Sequence, residues 1–278
     1  MFNGRKLHIA TKHGKEKVIA PIVEKALSVS CHTANNFDTD RFGTFTGEVE
    51  RTQDPLVTLR NKCLAGMSQY NFDLGIANEG SFGPHPFMPF IPVNEEIMIL
   101  LDTKNKLEII VSVLSTETNY QGEEVRTEQE LLDFASQAQF PNHKLIIRKS
   151  KTDFKGMIKG LGDWGQLLTS FRENIIKNDH VYVETDMRAM NNPTRLTVIE
   201  RAAKDLVNKI NSRCPKCGMP GFGVTNIVKG LPCSLCKTPT KSVLSHVYTC
   251  LHCSYTTVKK YPEQIFFEDP QYCDLCNP

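Results

Sequence analysis

The chain has 278 residues, 40% hydrophobic and 23% charged, with a formal net charge of +2. That length fits one large or two moderate domains, and the composition is that of an ordinary globular protein. The charge balance is too even to point to nucleic acid by itself, and no apolar run reaches the roughly 18 residues of a membrane span. The opening MFNGRKLHIATKHGKEK lacks an apolar stretch of signal-peptide length, so a cytoplasmic location without a membrane partner is expected.

In chain order, KLHIATK reads as a strand ending near Thr11. HGKEKVIAPIVEKAL reads as a helix with Val18, Ile22, Val23 and Ala26 on one face, and Pro21 marks a kink or a late start. NFDTDRFGTFTGEVERTQD is polar and reads as a loop. DPLVTLRNKCLAGM is a second helix, capped by Asp54 with Pro55 at its first position. YNFDLGIAN is a strand giving way to a glycine-rich loop, GSFG, and HPFMPFIPVNEE has too many prolines for a regular element. EEIMILLDTKNKLEIIVSVLS is a pair of strands about a polar turn. TEQELLDFASQAQF is a helix with a capping box from Thr127 and Glu130. The strand HKLIIRKS, the helix DWGQLLTSFRENIIKN and the strand HVYVETDMRA follow. Asn192 then caps, and Pro193 opens, a long amphipathic helix.

Strands and helices alternate over residues 6–211, which predicts an α/β domain with a mixed sheet and flanking helices. Helical periodicity stops near Asn211 and Cys, Gly and Pro take over. The expected division is 1–211, an α/β domain, and 212–278, a small cysteine-rich domain.

Eight of the ten cysteines form four Cys-x-x-Cys pairs: Cys214/Cys217, Cys233/Cys236, Cys250/Cys253 and Cys273/Cys276. One turn between two thiolates lets both reach one ion, so eight thiolates match two tetrahedral four-sulfur sites. Two structural zinc ions in a zinc-ribbon-like domain are expected, with iron–sulfur as the chemical rival that the ligand list leaves open. Of the ways to combine the pairs, sequential sharing closes the shortest loops and is preferred, then nested, then interleaved. Cys31 and Cys63 are expected to be buried free thiols, and His246 and His252 surface histidines. Lys229, Lys237, Lys241, Lys259 and Lys260 give this region positive charge.

In open α/β sheets ligands bind beyond the carboxyl ends of strands, and a helix N-terminus there offers N–H groups to phosphate. Thr11, Lys12, His13 and Lys15 stand at such a strand-to-helix junction. Glu79 follows a predicted strand, and Asp38 and Asp40 lie in the long polar loop. Carboxylates so placed suit a hard divalent ion, Mg2+ or Mn2+. Arg188 and Arg195 flank the end of a later strand and suit phosphate.

The segments TKHGKEK, FDTDRFGTFTGEVERTQDPLVTLRNKCLAGM, DLGIANEGSFGPHP and VETDMRAMNNPTR, with the cysteine-rich tail, resemble DUF6671, an uncharacterised family of bacterial proteins, over nearly the whole chain. That resemblance implies no activity. A weaker likeness is to the inosine and xanthosine triphosphate pyrophosphatases, whose first strand ends in Thr/Ser-x-Asn-x-x-Lys. Thr11 matches, His13 stands where the Asn belongs, and Glu16 falls on the Lys position, so Lys15 or Lys17 would substitute. The likeness implies phosphate-binding roles for Arg60 and Lys62 in PLVTLRNK and an acidic role for Glu79 beside Gly80.

Three readings follow. The first is a divalent-metal-dependent hydrolase of a nucleoside triphosphate or related phosphate compound, with Glu79, Asp38 and Asp40 as acidic groups. The second is a nucleic-acid or protein binding module using the zinc ribbons. The third is a non-catalytic adaptor. The discriminating observation is whether Lys12, Glu79 and Arg188 converge on one cleft.

Overall fold

The computed structural model describes residues 1–34 and 54–278. Asp38 and Asp40 lie outside the described residues. The chain divides into two compact units, Met1–Val207 and Asn208–Pro278.

The first unit opens with β1 (Lys6–Ala10), α1 (Glu16–Leu27) and β2 (Ser30–His32), followed by α2 (Pro55–Gln69). Three long strands then form a meander: β3 (Leu74–Pro84), β4 (Pro92–Asp102) and β5 (Leu107–Ser115). Together they make one mixed sheet in the order β2-β1-β3-β4-β5. β1 runs parallel to β2 and β3, while β3, β4 and β5 pair antiparallel. The apolar alternation explains the layering. Leu59, Cys63 and Met67 of α2 pack with Ala10, Ala77, Ile99 and Leu101 of the sheet. The sheet order turns back at β1, because β2 lies on one side of it and β3 on the other. In an open sheet a crevice forms at such a switch point, here beside the carboxyl end of β1, which β3 runs past.

Two expectations change here. α1 starts at Glu16 rather than at His13, because His13 (φ 72°) and Gly14 (φ 77°) are in the left-handed region and cannot continue a right-handed helix. β3 does not end at the glycines. It pairs with β4 without a break from Leu74 opposite Asp102 to Pro84 opposite Pro92. Gly80 serves a close approach instead of a turn: a Cβ there would stand 2.5 Å from Arg195 Nη2 and would also collide with the Glu96 carboxylate.

The remaining strands of this unit do not join the mixed sheet. β6 (Gly122–Val125), β7 (Leu145–Arg148), β8 (Ile158–Leu161) and β9 (Val181–Thr185) form a second, antiparallel sheet in the order β6-β9-β7-β8. α3 (Glu128–Gln137) and α4 (Trp164–Ile175) lie over it, burying Leu131, Phe134, Leu167 and Phe171 against Leu145, Ile147, Val181 and Val183. The capping box of α3 is present, with Thr127 Oγ1 accepting from Glu130 N at 3.2 Å. α5 (Pro193–Asn211) starts as expected, with Asn192 Oδ1 accepting from Arg195 N at 2.9 Å.

The second unit holds a meander of β10 (Gly223–Lys229), β11 (Val243–Thr249) and β12 (Thr256–Lys260), strands not expected from its sequence. Cys-x-x-Cys turns precede β10, follow it, follow β11 and follow β12.

One ion pair joins the mixed sheet to α5. Arg195 Nε donates to Glu96 Oε1 at 2.7 Å, with both side chains about fully buried at 1% and 0% exposure. Removing one partner strands a charge, whereas replacing both with apolar groups can be near neutral. Arg195→Met should therefore cost roughly 3–5 kcal/mol. The double replacement Arg195→Met with Glu96→Met should recover a large part of that loss in urea unfolding. Equal losses in the single and double variants would show that packing, not charge, holds this junction.

Candidate functional site

The crevice of the first unit is built where β1 ends and β3 continues. The last β1–β3 pair is Ala10 opposite Ala77, so the next carbonyl of β3, that of Asn78, has no strand partner on that side. Two lysines take its place. Lys15 Nζ donates to Asn78 O at 3.2 Å and to Asn78 Oδ1 at 2.8 Å. Lys62 Nζ donates to Asn78 O at 3.3 Å and to Glu79 Oε1 at 2.6 Å. Asn78 Nδ2 in turn donates to Ile97 O at 3.0 Å, which fixes its amide. Lys15 comes from the junction before α1 and Lys62 from α2, so both helices deliver a cation to one strand position.

Next to them, on the same face of the sheet as Asn78, lie Gly80, Glu96 and Arg195. Arg195 also donates from Nη1 to Met187 O at 2.6 Å and lies 5.4 Å from the Phe82 ring. The segment before α5 is ordered by Asp186, which is fully buried. Its carboxylate accepts from Arg188 Nη2 at 2.6 Å, Arg188 Nε at 2.9 Å and Asn191 Nδ2 at 2.7 Å. This segment reaches the β1–α1 loop: a Cβ built on Gly14 would meet Met190 Cβ at 3.6 Å.

Burial pushes the Lys15 amine down to about 7, and the charges of Arg195 and Lys62 push the same way against Glu96 and Glu79. Lys15 is thus a cation held at a cost, in a place where an arriving anion would relieve it.

Several expected residues meet here and several do not. Thr11 is buried at the end of β1, with its hydroxyl donating to Lys12 O at 3.1 Å; Lys12 is exposed and His13 half-buried in the same loop. Lys15, Lys62 and Glu79 come together, and Arg195 and Glu96 lie near enough to act on Lys15 through their charges. Glu79 lies inside β3 rather than at its end; what ends beside it is β1. Arg188 is drawn onto Asp186. Arg60 is held by Glu108 of β5, through a two-bond contact at 2.6 and 2.7 Å, outside this group.

The sequence reading missed Asn78 and Glu96. Only Glu96 carried a signal. Glu96 shares strand parity with Met98 and Leu100, all three fully buried, so it is a carboxylate on the inward face of an apolar strand. Arg195 likewise lies on the α5 face that buries Ile199, Ala202 and Leu206.

In the second unit the eight thiolates form two tetrads, Cys214/Cys217/Cys250/Cys253 and Cys233/Cys236/Cys273/Cys276. Neighbouring sulfurs lie 3.7 Å (Cys214–Cys253), 3.6 Å (Cys217–Cys250), 3.9 Å (Cys233–Cys276) and 3.6 Å (Cys236–Cys273) apart. Four sulfurs about 2.3 Å from one tetrahedral zinc would be about 3.8 Å apart, whereas a disulfide needs about 2.0 Å. Each tetrad could therefore hold one metal ion. The pairing is interleaved, not the sequential one expected from loop length. The reason is the meander: successive antiparallel strands deliver successive turns to opposite ends of the sheet, so the first and third meet, as do the second and fourth.

The profile of a domain of unknown function, DUF6671, matches residues 62–278. The chain belongs to this family. The match is narrower than the resemblance read from the sequence. It holds both tetrads and the Lys62, Asn78, Glu79, Glu96 and Arg195 group, but stops short of Lys15. No curated protein matches the chain. Among the described residues no helix is long and apolar enough to cross a membrane.

Removing Cys217 and Cys250 together empties one tetrad and should lower bound metal from about two ions to about one per chain. Removing Cys217 and Cys236 damages both tetrads and should lower it further. The opposite ranking in elemental analysis would restore sequential pairing. For Lys15, the unfolded chain holds its proton up to the ordinary lysine range, while the folded chain loses it near pH 7. Folding stability should thus rise with pH from about 7 to about 10 through this group. Lys15→Met should flatten that part of the profile in urea unfolding across the window.

Proposed function

We propose that the crevice between β1 and β3 binds a phosphate compound, read as a nucleoside triphosphate, and hydrolyses it with a divalent ion, Mg2+ or Mn2+. The observation that carries this reading is the convergence of Lys15 and Lys62 on Asn78 beside Glu79, at the turning point of the sheet. A phosphate entering there would meet two ammonium groups already desolvated, which makes each contact stronger than in water. It would also compete with Glu79 for Lys62. The Glu79 carboxylate is the residue that would hold the divalent ion, whose chemistry is polarisation of a phosphoryl oxygen.

The chain's own groups account for the rest of the reading. Lys15 and Lys62 offset the charge that spreads over the transferring oxygens while water attacks phosphorus and the P–O bond to the leaving phosphate or pyrophosphate breaks. Lys12, exposed in the β1–α1 loop, supplies further positive charge at the rim, whereas Arg188 stays committed to Asp186. Asn78 holds both lysines in register, and Gly80 keeps the wall thin enough for Glu96 and Arg195 to stand behind it. In the second unit the two ions are read as zinc, held for structure, because all-thiolate tetrahedral sites without a vacant position are closed to substrate. A cytoplasmic location, where thiols stay reduced, belongs to the same reading.

The test is phosphate release, with added pyrophosphatase, over canonical and deaminated nucleoside triphosphates with magnesium or manganese. Turnover that needs the metal and falls by about a hundredfold or more in Glu79→Gln supports the reading. Turnover unchanged in Glu79→Gln, or none on any nucleotide, overturns it. A Lys62→Met variant should lose both nucleotide binding and turnover.

A further inference from the structure

The sheet of the second unit has a composition that its metal sites do not require. Strands β10, β11 and β12 carry Lys229, Lys259 and Lys260 and not one carboxylate. All four acidic residues of the unit, Glu263, Glu268, Asp269 and Asp274, come after β12. The register puts Ile227, His246 and Lys259 side by side on one face, with Val224, Tyr248 and Thr257 in the next row. On this face the aromatic rings form a chain. Phe222 lies 5.9 Å from Tyr248 and 6.0 Å from Tyr255, and His246 lies 6.4 Å from Tyr248. Ile227 is 51% exposed, Thr257 and Lys259 are exposed, and the rings of Phe222, His246, Tyr248 and Tyr255 are half-buried, each with part of its surface open.

We infer that this face binds single-stranded nucleic acid. Unpaired bases stack on aromatic side chains presented by a sheet, and lysines of one sign track the backbone phosphates. A duplex hides its base faces, so the rings would gain nothing from it. A protein partner fits less well, because protein interfaces are depleted in lysine. The absence of carboxylates among the strands removes the repulsion that a polyanion would otherwise meet. The inference is independent of the crevice in the first unit, and a chain carrying Glu79→Gln should bind as the parent does.

The experiment uses the metal-loaded full chain and fluorescently labelled oligothymidylate and oligouridylate of about 20 nucleotides, with a duplex of equal length, a span that covers one such sheet. Anisotropy titrations should show single strands binding at least about tenfold more tightly than the duplex, with affinity falling as salt rises. Lys229→Glu with Lys259→Glu should weaken binding by about tenfold or more while the metal content stays at the parent value. Tyr248→Leu should weaken it and Tyr248→Phe should not. No binding at low salt, equal binding of the duplex, or parent-like binding by the charge-reversed chain would overturn the inference. So would a protein ligand of this face that oligonucleotides fail to displace.

Discussion

The Glu96–Arg195 pair is the contact on which the first unit turns. It is buried on both sides, and it links the middle of β4 to the first turn of α5. Arg195 also takes the carbonyl of Met187 and receives its own cap from Asn192, so one side chain fixes the segment between β9 and α5. That segment stands against the β1–α1 loop through Met190 and Gly14. A charge pair so deeply buried is a poor source of net stability, because desolvation offsets most of the attraction. Its value is positional. It obliges the antiparallel half of the mixed sheet and the last helix to adopt one relation, and the lysines of the crevice inherit that order.

Lys15 and Lys62 are charged groups that a folding chain would leave in water if it could. Here the carbonyl of Asn78 and the carboxylate of Glu79 hold them inside. For Lys15 the cost is recorded in its lowered affinity for a proton. A soluble scaffold gains little from such an arrangement. A site for an anion gains preorganised donors that need no rearrangement when the anion arrives.

Local signals explain what the sequence disclosed. Asp54 with Pro55, Thr127 with Glu130, and Asn192 with Pro193 each mark a helix start by hydrogen bonds made within four residues, and all three helices begin there. The long strands β4 and β5 are legible because a polar turn divides two apolar runs. What was not legible depends on partners distant in sequence. The glycines after Glu79 look like a turn until β4 is laid beside them; the division of the strands among the described residues of the first unit into two sheets needs pairings that no single segment encodes. The same holds for the site. Glu79, Lys15 and Lys62 could be nominated from residue type and place. Asn78 mattered only once β1 was seen to stop one residue short of it. For the cysteines, residue type alone announced the ligands, but their pairing required strands in VTNIVK, VLSHVYT and TTVKK, whose exposed alternation is weak because neither outer strand is buried.

The interleaved tetrads have a consequence for how the second unit comes into being. The first spans residues 214–253 and the second 233–276, so each closes a loop that contains half of the other's ligands. Neither can be completed by a local stretch of chain emerging alone. The first waits for its third turn at residue 250, by which point half of the second set is already present and unfilled. Assembly should therefore be late and concerted, with both ions captured in the same event as strand pairing. The same overlap acts as a clasp: a single cut between residues 237 and 249 would leave each fragment bearing two ligands to each ion, so the pieces would stay tied together at two points until the metal was withdrawn.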